Sequence, residues 1–150
     1  MSRIWKPNVT VAAVIERAGR FLLVEEETED GLRFNQPAGH LDPGESLVEA
    51  CAREALEETA WHFRPTALVG VYQCPRPGSD ITYLRFAFAG ELGEEETGQA
   101  LDAGILRAVW MTIDEVEASK VRHRSPLVMQ CIQDYRANRR FPLELIRHHG

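Results

Sequence analysis

The sequence predicts a domain of mixed strands and helices, α+β or α/β, from three observations: apolar runs of strand length recur along the chain, an amphipathic helix lies among them, and a second long helix follows late. Residues 9–15, "VTVAAVI", are β-branched and apolar enough for a buried strand, and "GRFLLVEEE" after the Ala18-Gly19 break reads as its hairpin partner. The stretch "TEDGLRFNQPAGHLDPGES" follows, and its Gly31, Pro37, Gly39, Pro43 and Gly44 are loop chemistry. Ser46 then opens a helix: it is a good N-cap, Glu49 completes an S-x-x-E capping box, and the helix is expected to reach Thr59. "TALVGVYQC" and "ITYLRFAFAGEL" read as strands joined across "PRPGSD", and "RAVWMT" as another. "GELGEEETGQALDAG" is a polar, glycine-bearing loop and a candidate for mobility. Thr112 and Glu115 make a second capping box for a short helix, "TIDEVEA". In "SPLVMQCIQDYRAN" the residues Leu127, Val128, Cys131, Ile132 and Tyr135 recur at helical spacing, with Pro126 accepted in the first turn.

A chain of 150 residues with 44% hydrophobic content fits one globular domain over residues 1–150. A net charge of −6 argues against binding a nucleic-acid polymer, which needs clustered Lys and Arg to neutralise phosphates. If the partner carries phosphate, a cation is expected to mediate. Cys51, Cys74 and Cys131 are widely separated and form no CxxC pair, so reduced thiols in a cytoplasmic protein are the simplest reading. "MSRIWKPNVT" has no apolar signal region, and no run has the length of a membrane span.

The helix after Ser46 carries the chemistry. At about 100° per residue, Cys51, Ala55, Val48, Thr59, Ala52 and Leu56 share one apolar side, while Glu49, Arg53 and Glu57 share another. Those three are explained by i,i+4 pairing on an exposed face, Glu49 with Arg53 and Arg53 with Glu57. Glu54 and Glu58 are not. They stack at i,i+4 along the edge of the apolar stripe, where two carboxylates repel each other and lose hydration. Two readings remain open on the residues alone: a divalent cation held by Glu54 and Glu58 with Glu57 joining them, or a solvated, partly protonated acidic surface.

The stretch "GHLDPGESLVEACAREALEE" resembles the Nudix box, Gly-x5-Glu-x7-Arg-Glu-(apolar)-x-Glu-Glu-x-Gly-(apolar), at Gly39, Glu45, Arg53, Glu54, Glu57 and Glu58, with both spacers of the correct length. One position departs from it: the final glycine is Ala60, followed by Trp61. That glycine ends the helix in a left-handed cap, so the substitution bears on the turn and not on the ligand set. Ala55 stands where the pattern favours a larger aliphatic. "PNVTVAAVI", "LLVEEE", "FNQPAGHL", "LRFAFA", "RSPLVMQCIQDY" and "RFPLELI" extend the likeness to phosphatase-type bacterial Nudix enzymes that act on nucleoside tri- and diphosphates and on hydroxymethylpyrimidine diphosphate, a thiamine-pathway compound.

The resemblance implies an α+β fold, an α/β/α sandwich with a mixed sheet between helices. It also implies Mg²⁺, with Mn²⁺ as a possible substitute, held by Glu54, Glu57, Glu58 and the carbonyl of Gly39. Arg53 is expected to orient Glu57, and Glu45 to support the loop-to-helix geometry. Glu54 is the first choice for general base, with Asp102 as the alternative and the Glu94-Glu95-Glu96 run as further acidic candidates on the later loop; Gly104 stands where many relatives carry an acid. Arg85, Phe34 and Tyr83 are candidate substrate contacts, Trp5 a further aromatic one, while His40, His148 and His149 have no ligand partner at metal spacing. The expected reaction is Mg²⁺-dependent hydrolysis of a phosphoanhydride with release of orthophosphate by a monomer or homodimer. Its rivals are a pyrophosphohydrolase that cuts a nucleoside diphosphate linked to another group, and a Nudix-fold module that binds a nucleotide without turning it over.

Overall fold

The computed structural model describes residues 3–150. Strand β1 (Asn8–Ala13) lies inside a sheet of five strands. There it runs parallel to β7 (Thr82–Glu95) and antiparallel to β5 (Ala38–His40), and β6 (Trp61–Pro75) and β9 (Phe141–Pro142) complete the order β5-β1-β7-β6-β9. A second sheet holds β2 (Glu16–Arg17), β3 (Arg20–Thr28), β4 (Gly31–Asn35) and β8 (Ile105–Thr112), the last pairing with β3. Helix α1 (Leu47–Thr59) sits after β5, while α2 (Ile113–Ala118) and α3 (Leu127–Arg136) follow β8.

Alternation along β1 sorts the core into two layers. Val11 and Ala13 pack with Ala50, Cys51 and Ala55 of α1 and with Phe88, whereas Ala12 packs with Val116 of α2 and with Met129, Cys131 and Ile132 of α3. Helices therefore cover opposite sides of the strands, giving the expected α+β sandwich with parallel and antiparallel pairs. Both faces of β1 are covered, which explains why its sequence is a continuous apolar run.

Three expectations are corrected, the first being that "GELGEEETGQALDAG" is all loop: its residues up to Glu95 continue strand β7, and only the remainder is loop. The hairpin partner of β3 is the two-residue β2, not β1: β1 ends at Ala13, the chain crosses to the second sheet, and the Leu22 amide donates to the Ile15 carbonyl at 2.9 Å. A doubly buried strand followed by Ala18-Gly19 looks the same in sequence whether the turn belongs to it or to a short strand after it. The stretch 28–46 is not all loop, because it contains β4 and β5. Both are short and flanked by Gly or Pro, so turn signals hide them. The two capping boxes form as expected at Ser46–Glu49 and Thr112–Glu115. Strand β6 is longer than its apolar run and accommodates Pro65 at a break in the pairing register.

Candidate active site on the glutamate helix

The chain reaches α1 through β5, and this brings the backbone against the helix. An added Cβ on Gly39 would lie 2.1 Å from the carboxyl carbon of Glu54, so no larger residue fits without displacing that side chain. The next strand residue back, Ala38, donates its amide to Glu58 Oε1 at 2.9 Å. Gly39 and Glu58 are thus tied to one short strand.

Arg53 is the hub of the outer side. Its Nε and Nη2 grip both oxygens of Glu45 at 2.9 and 2.7 Å, Nη2 also reaches the His40 carbonyl at 3.0 Å, and Nη1 is shared by Glu54 at 2.8 Å and Glu57 at 3.2 Å. Glu45 accepts the Asp42 amide at 2.9 Å as well, and the Arg53 guanidinium holds its carboxyl below the usual range. The bidentate pair fixes the guanidinium plane, and the plane fixes Glu54 and Glu57. Glu49 serves the capping box instead: its side chain accepts the Ser46 amide and makes no pair with Arg53.

Oxygens of Glu54, Glu57 and Asp102 lie within 4.8 Å of one another. Asp102 arrives by an unexpected route. The polar loop after β7 caps the C-terminal turn of α1: the Glu96 amide donates to Ala60 O at 2.7 Å, Gln99 Nε2 to Leu56 O at 2.8 Å, and the Asp102 amide to Glu57 O at 3.1 Å. Glu57 O is among the carbonyls that a helix end leaves without an intrahelical partner, while Leu56 O also accepts the Ala60 amide. Of the other acids of that loop, Glu96 pairs with His62 at 2.7 Å, and Glu94 and Glu95 are exposed on the end of β7. Ala60 does adopt the left-handed conformation of the absent glycine, at φ 64° and ψ 13°, and its amide closes the helix on Leu56 O. The chain passes from there straight into β6.

Burial sets the protonation of the inner pair. Loss of hydration pushes Glu54 up to about 6, opposed by Arg53, and pushes Glu58 up to about 8, opposed by the Ala38 amide and reinforced by Glu54, Glu26 and Asp102. Hard carboxylate oxygens that converge without enough positive charge are the donor set a divalent cation requires, so these residues fit such an ion. Glu58 is not in the tight trio, but its charge belongs to the same acidic pool.

The proposed substrate contacts separate. Phe34 is in the core at 4% exposure with the Arg122 guanidinium over its ring at 4.5 Å, which leaves that face covered. Arg85 is buried in neither the acidic cleft nor solvent: Nη1 donates to Gln36 Oε1 at 2.8 Å and Nη2 to Asn35 Oδ1 at 2.9 Å, so it braces the segment that leads into β5. Tyr83 is half-buried on β7, beside Asn8 and Cys74. Trp5 is exposed and donates its indole N–H to Asp80 O at 3.0 Å. His40 contributes its backbone carbonyl, to Arg53. The sequence reading passed over Glu26, one of the charges around Glu58, because it sits in an "EEE" run on a strand whose facing elements the sequence does not name.

Comparisons with known proteins bear on the family and the fold. The NUDIX domain pattern matches residues 5–131. "Phosphatase NudJ" from Escherichia coli strain K12 is 42% identical over 144 residues, 95% of this chain and 92% of that protein, and the Shigella flexneri protein of the same name matches equally. Among solved structures, a NUDIX hydrolase from Nitrosomonas europaea superposes with a TM-score of 0.93 at 50% identity, covering 96% of this chain and 98% of that one. The NUDIX domain of Shewanella oneidensis NrtR, solved with ADP ribose, has the same fold at 18% identity, with a TM-score of 0.73 over 90% of each chain.

Proposed function

The chain belongs to the Nudix hydrolase family, and we propose that it is a Mg²⁺-dependent phosphatase that releases orthophosphate from nucleoside tri- or diphosphates or from hydroxymethylpyrimidine diphosphate. The observation that carries the reading is the convergence of Glu54, Glu57 and Asp102 on α1 and its capping loop, with Glu58 behind them. The likeness to a phosphatase over nearly the whole chain favours orthophosphate as product.

Glu54, Glu57 and Glu58 with the Gly39 carbonyl would hold Mg²⁺, or Mn²⁺ in its place, and Asp102, whose carboxylate approaches those of Glu54 and Glu57, would join them. When bound there, the ion would supply charge neutralisation for the phosphates and a lowered pKa for the attacking water. The side chains do the rest. Arg53 holds Glu54 and Glu57 in fixed orientation, Glu45 and the His40 carbonyl hold Arg53, and Gly39 lets the β5 backbone approach the carboxylates. Glu54 accepts the proton of the attacking water, and Asp102 is the alternative base within the same trio. Arg85 acts on substrate indirectly, through Asn35 and Gln36, Tyr83 lies on the same strand, and Phe34 contributes core packing under the Arg122 guanidinium.

The test is a panel of nucleoside tri- and diphosphates, hydroxymethylpyrimidine diphosphate and nucleoside diphosphates linked to a second group, assayed in Mg²⁺ with orthophosphate and pyrophosphate read separately. Orthophosphate without added phosphatase is the expected product. Two phosphorylated products from a linked diphosphate would identify a pyrophosphohydrolase, and tight binding with no turnover would identify a binding module. The protein is proposed to work in the cytoplasm, where its three unpaired cysteines stay reduced, as a monomer or homodimer that sedimentation distinguishes. None of its described helices is long and apolar enough to cross a membrane.

A further inference from the structure

Phosphates entering this cleft meet carboxylates on several sides, so positive charge that is not already committed matters. Arg53 is committed: Glu45, Glu54, Glu57 and the His40 carbonyl share its guanidinium. Arg124 is different. Its Nη1 donates to Glu26 Oε1 at 2.7 Å, and Glu26 lies near enough to Glu58 to act on it electrostatically. Its Nε and Nη2 have no acceptor among the described residues, and its side chain remains 45% exposed.

The residue is nevertheless held in place. Its amide donates to Phe34 O at 2.8 Å, the neighbouring His123 bridges to Phe34, and Arg122 both covers the Phe34 ring and pairs with Glu25. Arg124 also lines a cavity of about 500 Å³ together with Lys120, Ser125, Met129, Gln130 and Gln133. Among the described residues no carboxylate lines it; the first turn of α3 borders it, with the Leu127 and Val128 amides already satisfied by Ser125, so the positive charge on offer is that of the Arg124 and Lys120 side chains.

We infer that this cavity is an anion subsite, in which Arg124 and Lys120 receive the phosphate oxygens of the substrate that lie away from the glutamate helix. The choice of phosphate as the anion rests on the hydrolase reading; the positive, acid-free lining does not. Arg124 spans the two halves: one edge of its guanidinium is fixed on Glu26 beside the acidic cleft, and the other edge faces the incoming phosphate. An ammonium in its place would keep the charge but lose the two-edged geometry.

Calorimetric titration with inorganic pyrophosphate in EDTA tests the subsite without any metal. Wild type is expected to bind saturably, and Arg124→Gln and the exposed Lys120→Gln each to weaken binding about tenfold, the scale of one lost charge-assisted hydrogen bond. In Mg²⁺, Arg124→Gln is expected to raise KM for a nucleoside diphosphate by a similar factor with a smaller change in kcat, and Arg124→Lys to recover part of it. Absence of saturable binding by wild type, or equal affinities in wild type and both variants, overturns the subsite even if the enzyme hydrolyses normally. Weaker pyrophosphate binding in the variants of a protein that hydrolyses nothing in Mg²⁺ supports the subsite while overturning the hydrolase reading.

Discussion

Glu25 and Glu58 are equally buried, each 8% exposed, and the molecule treats them in opposite ways. Glu25 on β3 accepts from Arg107 at 2.8 Å and from Arg122, and these arginines hold its carboxyl below the usual range despite its burial. Glu58 on α1 has the Ala38 amide and no arginine partner among the described residues, with Glu54, Glu26 and Asp102 nearby, and burial pushes it up to about 8. A fold that can place two arginines on one buried glutamate leaves another without a cation of its own. The difference is that between a structural ion pair, complete within the chain, and a site whose missing positive charge the proposed divalent cation would supply.

Substitutions at the two places should therefore separate activity from stability. The largest effect is expected for Glu57→Gln or Glu54→Gln, which should lower kcat about a thousandfold, ~4 kcal/mol of barrier, in steady-state assays with Mg²⁺ and leave the fold intact by circular dichroism. Glu45→Gln weakens the grip on Arg53 without touching the trio, and a loss of about 10- to 100-fold is expected. Glu25→Gln should leave kcat near wild type and instead cost about 1–2 kcal/mol of stability, read as a lower Tm, since both of its arginines are partly exposed and can recover hydration.

The pH dependence of the metal-free protein sharpens the same contrast. Glu54 and Glu58 have folded values raised from 4.5 to about 6 and about 8, so their contribution to stability is full below about pH 4.5 and is lost as pH rises through those values. The shift at Glu25 has the opposite sign, so its contribution is present above the unfolded value and is lost as pH falls. In EDTA, Tm should drop between pH 5 and pH 8, and Glu58→Gln should flatten that drop while reducing hydrolysis; a Glu58→Gln protein with an unchanged slope would remove Glu58 from the account. The smallest effect is expected at Ala60. Ala60→Gly relieves a left-handed φ but adds freedom to the unfolded chain and removes a buried methyl, so a Tm change corresponding to less than about 1 kcal/mol is expected.

Much of this site was legible in the sequence because it lies within one helix. The capping box at Ser46, the i,i+4 stacking of Glu54 with Glu58 and the spacing back to Gly39 are local, and a helical period converts them directly into positions in space. What was illegible is what distant segments bring. Asp102 was an alternative base among several loop acids, and only its amide bond to Glu57 O distinguishes it from Glu94, Glu95 and Glu96. Arg85 alternates on a strand in a way that suits a cleft or solvent equally, and the partners that bury it, Gln36 and Asn35, come from a different sheet region. The neighbours of β1, which are β5 and β7, are illegible for a related reason: a strand buried on both faces carries no alternation to show which neighbour it has.

In the proposed site the carboxylates of α1 hold a divalent cation where the chain supplies no arginine of its own to Glu58 among the described residues. Calorimetric titration of Mn²⁺ into the metal-stripped protein, with Glu25→Gln and Glu57→Gln titrated alongside, tests it most directly. Saturable binding by wild type and Glu25→Gln, with marked weakening in Glu57→Gln, is the expected result. Wild-type protein that binds no Mn²⁺, or a Glu57→Gln variant that binds it as tightly as wild type, would contradict the claim.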